Sequence, residues 1–230
     1  KLVIKTKNET RYGETWYPGV GALSNDNRGN FSGVPLRGPA IDEVCKRYEK
    51  YFSFWDRAQI SICYPGYPKK LKSETSASFK YKKEKFSAHV DGILPVGVEK
   101  RRFAREYHSF ILGIPISKFD KHAAPLVIWE GSHKIMQKDL TDYFNRLVNV
   151  GKKCDIDITE IYQAVRRKIF EACKPKIVWC PVGSCFIIHR FALHGIHPWR
   201  NRARSEECGR IIAYFRPNLA NIELWLNMNI

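Results

Sequence analysis

No CxxC pair occurs in this chain, and its seven cysteines are an odd number spread widely along 230 residues. The nearest two, Cys180 and Cys185, bracket a turn. That spacing speaks against a zinc cage and a disulfide framework, and reads as reduced thiols of a cytoplasmic protein. Long apolar runs are missing too: none approaches the roughly 20 residues needed to span a bilayer. The opening KLVIKTKNET has neither the apolar h-region nor the cleavage site of a signal peptide. There is no internal repeat, and no zinc-finger, helix-turn-helix or RNA-recognition signature. Acidic residues are the scarce charge, 23 against 39 basic, for a net charge of +16. The excess gathers in KKLKSETSASFKYKKEK (69–85), EKRRFARE (99–106) and RNRAR (200–204). Such a field favours an anionic partner (nucleic acid, a membrane surface, or a phosphorylated or carboxylated substrate) and says nothing about fold.

Apolar side chains are plentiful, 44% of residues with 13% aromatic, enough for a sizeable core. Residues 13–39 are rich in Gly, Asn and Pro and read as an irregular arm. A helix is expected from Pro39, because Ile41, Val44, Cys45, Tyr48, Phe52 and Trp55 recur at helical spacing. The period then changes to short β-type runs: AQISICY (58–64), KFSAHVD after the basic loop, YHSFILGIPI (107–116) and APLVIWEGS (124–132). Two helices interrupt. One groups Leu140, Tyr143, Phe144 and Leu147 and stops near Gly151; the other starts at Asp157 with Glu160 three residues on, a capping-box pattern. Strands resume with KIVWC, SCFIIH and GRIIAYFRP, the last ended by Pro217. Many short strands without βαβ alternation predict a mainly β (α+β) sandwich or jelly-roll barrel with flanking helices and a helical insertion at about 134–174. A single domain, 1–230, is expected: arm and helix to 57, core 58–217, tail 218–230.

One ordered set of polar residues runs through those strands. His89 and Asp91 stand two apart, so on a strand both side chains reach one face. His194, in FALHGIHPW, lies near a later strand end, and Arg210 opens the last apolar strand. Two imidazoles and one carboxylate can occupy one face of an octahedral iron(II) ion and leave three positions open. A guanidinium deeper in the barrel can hold a carboxylate bidentately, which a lysine cannot. His189 and His197 are rival third ligands. His133, in the Gly-Ser-His turn, reads as structural, His108 and His122 as strand or loop residues, and Trp129, Trp179 and Trp199 as packing.

With these residues in view, the chain from about 58 to 217 resembles the phytanoyl-CoA dioxygenase-like family of iron(II)/2-oxoglutarate-dependent oxygenases. The likeness is carried by HVD, by APLVIWEGSHK (similar to the family's Gly-Pro-Leu…Pro-Gly-Ser-His-Lys stretch), by PVGSCFIIHRFALHG and by the Arg of the final strand. It implies a double-stranded β-helix core with His89, Asp91 and His194 as iron ligands. It also implies that Arg210 binds the C5 carboxylate of 2-oxoglutarate, with O2 as co-substrate and succinate and CO2 as products. Some positions depart from the pattern. Glu130 replaces a Pro, Trp129 is bulky, and Ile196 stands where a Ser often helps hold the co-substrate, a role then assigned to Gln59 or Ser61. The stretch from His194 to Arg210 is long, which makes Arg204 a rival anchor. Related halogenases replace the carboxylate ligand with a small residue, so Asp91 points to hydroxylation.

The expected partner is a small-molecule or carrier-linked substrate, an anionic one being favoured by Lys80, Lys82, Lys83, Lys85, Arg101, Arg102 and Arg105 around the HxD segment. The competing reading is a non-catalytic jelly-roll that binds nucleic acid or another polyanion through its basic surface.

Overall fold

Gln59–Cys63 alternates its side chains between two cores, and the rest of the architecture follows from that. The computed structural model describes residues 9–149, 155–206 and 209–228. In chain order the elements are β1 (Trp16–Tyr17), α1 (Pro39–Tyr48), β2 (Phe52–Trp55), β3 (Gln59–Cys63), α2 (Ser76–Glu84), β4 (Ile93–Val96), β5 (Arg101–Ala104), β6 (Phe110–Pro115) and β7 (Leu126–Trp129). Then come α3 (Ser132–Asn149), α4 (Thr159–Ala172), β8 (Pro175–Val178), β9 (Phe186–His189), β10 (His194–Ile196), β11 (Arg210–Phe215), β12 (Pro217–Leu219) and α5 (Ile222–Asn227).

The larger sheet has the order β1-β3-β11-β6-β9 and the smaller β10-β7-β8, all pairs antiparallel. His89 extends the smaller sheet by a single bridge to His194. From β3 the chain passes to the His89 edge, back to β6, across to β7 and β8, back to β9, across to β10 and home to β11. This winding is a jelly-roll, with the helices α3 and α4 inserted between β7 and β8.

Three layers of core follow from strand alternation. Between the sheets, Ile111, Ile188, Ile212 and Tyr214 meet Leu126 and Ala192. The outer face of the larger sheet (Ile60, Ile62, Phe110, Leu112, Ala213, Phe215) is covered by Ile41 of α1 and by Trp55. The outer face of the smaller sheet, Val127 and Trp129, packs on Met136, Leu140, Phe144, Tyr162, Val165 and Ile169 of the inserted helices. Burial on both faces explains why LVIW reads as an unbroken apolar run.

Several expectations are corrected. α1 ends at Tyr48; Glu49–Tyr51 is a 3₁₀ turn and Phe52 and Trp55 belong to β2. Their rings pack edge-to-face with Phe110 at 5.6 and 5.9 Å, and β2 pairs with β12, contacts a continued helix would forfeit. The basic segment holds α2, begun by the Thr75 side chain accepting the Ser78 N–H; its lack of buried residues left no period to read. KFSAHVD is not a strand: Phe86 and Ser87 both have positive φ, and only His89 pairs. α4 starts at Thr159, whose N–H is taken by the Asp157 carboxylate (2.8 Å), while Glu160 lies toward Arg101 rather than closing a capping box. The arm contributes β1 to the larger sheet, and Pro217 opens β12 instead of ending β11. The expected stop at Gly151 lies outside the described residues. Among the described residues no helix is long and apolar enough to cross a membrane.

Candidate metal and co-substrate site

His89 and His194 face each other through a closed pair of backbone hydrogen bonds, His89 N–H to His194 O (2.8 Å) and His194 N–H to His89 O (3.0 Å). Gly195 makes this approach possible. A Cβ there would run into the Phe86 carbonyl oxygen, which instead accepts the Ile196 N–H at 3.0 Å. The segment 88–90 has no further ladder partner and is held by side chains. The Tyr162 hydroxyl accepts the Val90 N–H (3.0 Å), and Tyr81 Oη and Arg166 Nη2 both donate to the Ala88 carbonyl (3.0 Å each).

The imidazoles are tautomerically fixed. His89 Nδ1 lies 3.0 Å from Ser87 O and His194 Nδ1 lies 2.9 Å from Ala192 O; a carbonyl only accepts, so each Nδ1 carries the hydrogen. Each Nε2 is then turned to Asp91 Oδ1, at 3.3 Å from His89 and 3.4 Å from His194. One ligand atom from each of the three residues lies within 4.8 Å of the others. Donors of this kind, with a backbone carbonyl orienting each ring, fit a first-row divalent ion. Burial alone would raise the Asp91 pKa; Arg216 and the two imidazoles outweigh it and hold the carboxyl well below its ordinary value.

Arg216 is the residue that the sequence reading missed. Its Nε donates to Asp91 Oδ2 (2.7 Å) and its Nη2 to Gln59 Oε1 (2.8 Å). A signal was available in GRIIAYFRP: Arg210, Ile212, Tyr214 and Arg216 keep a two-residue period that carries the inward face of β11 one residue past its end.

Arg210 is fully buried, 0% exposed, at the opposite end of the same stripe. Cys63, its register partner on β3, has its Sγ 3.1 Å from Nη2. Nε and Nη1 are buried without a hydrogen-bond partner, and no carboxylate among the described residues pairs with this guanidinium. Tyr214 spans the two ends, lining the cavity by the triad and neighbouring Arg210. Gln59 and Ser61 do not meet Arg210. Gln59 is committed to Arg216, and the Ser61 hydroxyl accepts the Trp16 indole N–H at 2.9 Å. Cys63 occupies the place expected of them.

The rivals fall elsewhere. His189 packs at a tilt against His133 (4.9 Å, 41° between rings) and its Nδ1 accepts the Phe191 N–H; His197 stacks on Phe86 (5.1 Å) and meets Arg200. Arg204 is exposed. His108 is buried against Glu106 (3.0 Å), and His122 lies in a loop beside Arg200.

No protein-family model and no curated protein matches the chain. Among solved structures, the non-heme alpha-ketoglutarate-dependent carbocyclase SnoK from nogalamycin biosynthesis is similar over 70% of this chain and 48% of its own, at 11% identity and a TM-score of 0.36. The chain thus spans about half the length of SnoK. The Kdo hydroxylase KdoO, a non-heme Fe(II) alpha-ketoglutarate-dependent dioxygenase in complex with alpha-ketoglutarate and Fe(III), is similar over 87% of this chain and 71% of its own, at 14% identity and a TM-score of 0.38. Likenesses of this size carry no function to this chain.

A cavity of about 770 Å³ opens beside the triad, a size ordinary for small-molecule sites. The arm, β3, α2, the 87–92 segment, β4, α4 and β11 all contribute to its wall. Arg102 is on that wall; Arg101 and Arg105, expected beside it, are instead paired with Asp157 and Asp155.

Proposed function

We propose that the chain is an iron(II)- and 2-oxoglutarate-dependent oxygenase that hydroxylates a small or carrier-linked, anionic substrate with release of succinate and CO2. One observation carries this reading. A His-Asp-His set and a fully buried guanidinium with no carboxylate partner among the described residues, two of its nitrogens unbonded, stand at two levels of one barrel. Leaving guanidinium N–H groups dry and unbonded is costly unless an anion completes the site, and a dicarboxylate that reaches from metal to arginine would do so.

In this reading His89 and His194 present Nε2 and Asp91 presents Oδ1 to iron, while Arg210 takes the distal carboxylate of the co-substrate. Iron(II) with 2-oxoglutarate supplies the oxidative decarboxylation that makes O2 competent for C–H hydroxylation. The chain's own work is to orient. Backbone carbonyls hold the imidazole tautomers, Arg216 occupies the second Asp91 oxygen, and Tyr214 separates the metal level from the arginine level. Asp91 is a carboxylate where related halogenases carry a small residue, which favours hydroxylation. The reaction is assigned to one domain, with 58–217 as its core, in the cytoplasm; Cys45, Cys63, Cys173, Cys180 and Cys185 are free thiols, in keeping with a reducing setting.

The test is anaerobic addition of iron(II) and then 2-oxoglutarate, watching for the visible metal-to-ligand charge-transfer band. The band is expected in the wild type, absent in His89→Ala, and in Arg210→Ala to demand far more co-substrate. No band in folded, metal-loaded protein would overturn the oxygenase reading and leave polyanion binding.

A further inference from the structure

Arg166 projects from α4 to the wall of the cavity beside the triad. One of its five N–H groups is used on the Ala88 carbonyl; its Nε is buried without a partner. The guanidinium carbon lies 5.3 Å from the Tyr81 and Tyr162 ring centres and 5.7 Å from that of Phe170, an aromatic socket that holds the fork in place. No carboxylate among the described residues pairs with it, and burial alone pulls its pKa down to about 10, still fully charged at neutral pH. Arg102, on β5, reaches the same wall, where its charge acts on the Tyr162 hydroxyl. That hydroxyl already accepts the Val90 N–H, so its own hydrogen is free to donate into the cavity.

The cavity's three acids do not answer these cations. Asp91 is taken by Arg216, while Glu106 and Asp56 both face His108, at 3.0 and 3.6 Å. What remains near Tyr162 is two arginines and one hydroxyl donor, which no carboxylate among the described residues receives. An anchor role for Ala88 alone would not explain the set, since Tyr81 already donates to that carbonyl.

We propose that this wall is the anion subsite of the substrate: Arg166, Arg102 and the Tyr162 hydroxyl take a carboxylate or phosphate group, and the Tyr81 ring and the arm side of the cavity take the attached skeleton. The same Tyr162 holds Val90, between His89 and Asp91, so an anion seated here lies beside the metal triad and fixes which carbon faces it. The subsite deepens the oxygenase reading, on which its role in reaction rests, but anion binding itself does not require iron.

The test is thermal unfolding and calorimetric titration of the iron- and 2-oxoglutarate-loaded, anaerobic protein with inorganic phosphate and, separately, acetate, against chloride at equal ionic strength. Specific stabilisation by phosphate, by acetate or by both is expected, and the stronger arm names the substrate's anionic group. Arg166→Met and Arg102→Met are each expected to weaken it about tenfold, as for loss of a charge-assisted hydrogen bond. Arg166→Lys keeps the charge without the fork and is expected to retain part of the effect, so a misfolded methionine variant does not decide the outcome. Equal binding in wild type and both methionine variants, or no anion-specific effect in folded wild type, overturns the subsite. The charge-transfer band separates the two failures. A band without anion binding removes the subsite alone; anion binding without a band removes the oxygenase reading and leaves the subsite.

Discussion

Arg216 holds one oxygen of Asp91 and leaves the other to the histidines. Its Nε is 2.7 Å from Oδ2, whereas Oδ1 lies 3.3 and 3.4 Å from the two Nε2 atoms. Since Oδ2 is occupied, the carboxylate is constrained to offer a metal one oxygen only, and Gln59 in turn fixes Arg216. Arg216→Met is therefore expected to weaken iron(II) or cobalt(II) binding about 10- to 100-fold, the usual scale for a residue that orients a ligand. Gln59→Leu is expected to do less. Metal titration followed by the cobalt(II) visible spectrum checks both; unchanged affinity and an unchanged spectrum in Arg216→Met would show that the ion pair does not shape the site.

Arg210 imposes a conflict between stability and use. Two of its buried N–H-bearing nitrogens have no partner. Arg210→Met should relieve that penalty and leave the fold as stable as the wild type or more so, by about 1–3 kcal/mol, while, on the proposed reading, the variant demands far more co-substrate. Denaturant unfolding of the two proteins, without 2-oxoglutarate, decides the first half. A strongly destabilised Arg210→Met would mean that the guanidinium is a structural tie.

Gly195 permits the contact on which the triad depends. Gly195→Ala sets a methyl group against the Phe86 carbonyl oxygen. A cost of about 1–3 kcal/mol is expected, as for overpacking elsewhere, together with weaker metal binding because His89 and His194 no longer pair. Wild-type metal affinity in this variant would show that residues 86–89 adjust without cost.

His189 governs part of the acid response. Burial, helped by Arg190 and His133, lowers its pKa from 6.5 to about 3. The unfolded chain therefore binds a proton that the folded chain refuses between those two values, so stability is full above the higher one and falls as pH drops toward the lower. His189→Asn, whose Oδ1 can accept the Phe191 N–H in place of Nδ1, should flatten that acid limb. Urea denaturation across this pH range is the measurement; an equally steep limb in the variant would place the proton uptake elsewhere.

The sequence reading succeeded where spacing alone sets geometry. The two-residue spacing brings His89 and Asp91 to one site even though their segment is not a strand, and Arg210 opens β11 as a buried residue. It failed where a distant contact overrides local preference. The helical period of Phe52 and Trp55 lost to ring packing on Phe110 and pairing with β12. The Lys/Ser segment hid α2 because that helix buries nothing. KFSAHVD looked like a strand but turns at Phe86 and Ser87, and its end is held by Tyr81, Tyr162 and Arg166, which stand apart from it in sequence.

The amino-acid sequence by itself determined the kinds of atom available to the site and the strands that carry them, because both are properties of residue type and of a two-residue period. Which arginine does what was decided only by tertiary structure. Arg210, Arg216 and Arg166 are chemically one residue type. Their roles differ because the fold buries the first without a carboxylate partner among the described residues, sets the second against Asp91, and seats the third in a ring of aromatics at the cavity wall, and burial and distance across the chain are not written in any local pattern.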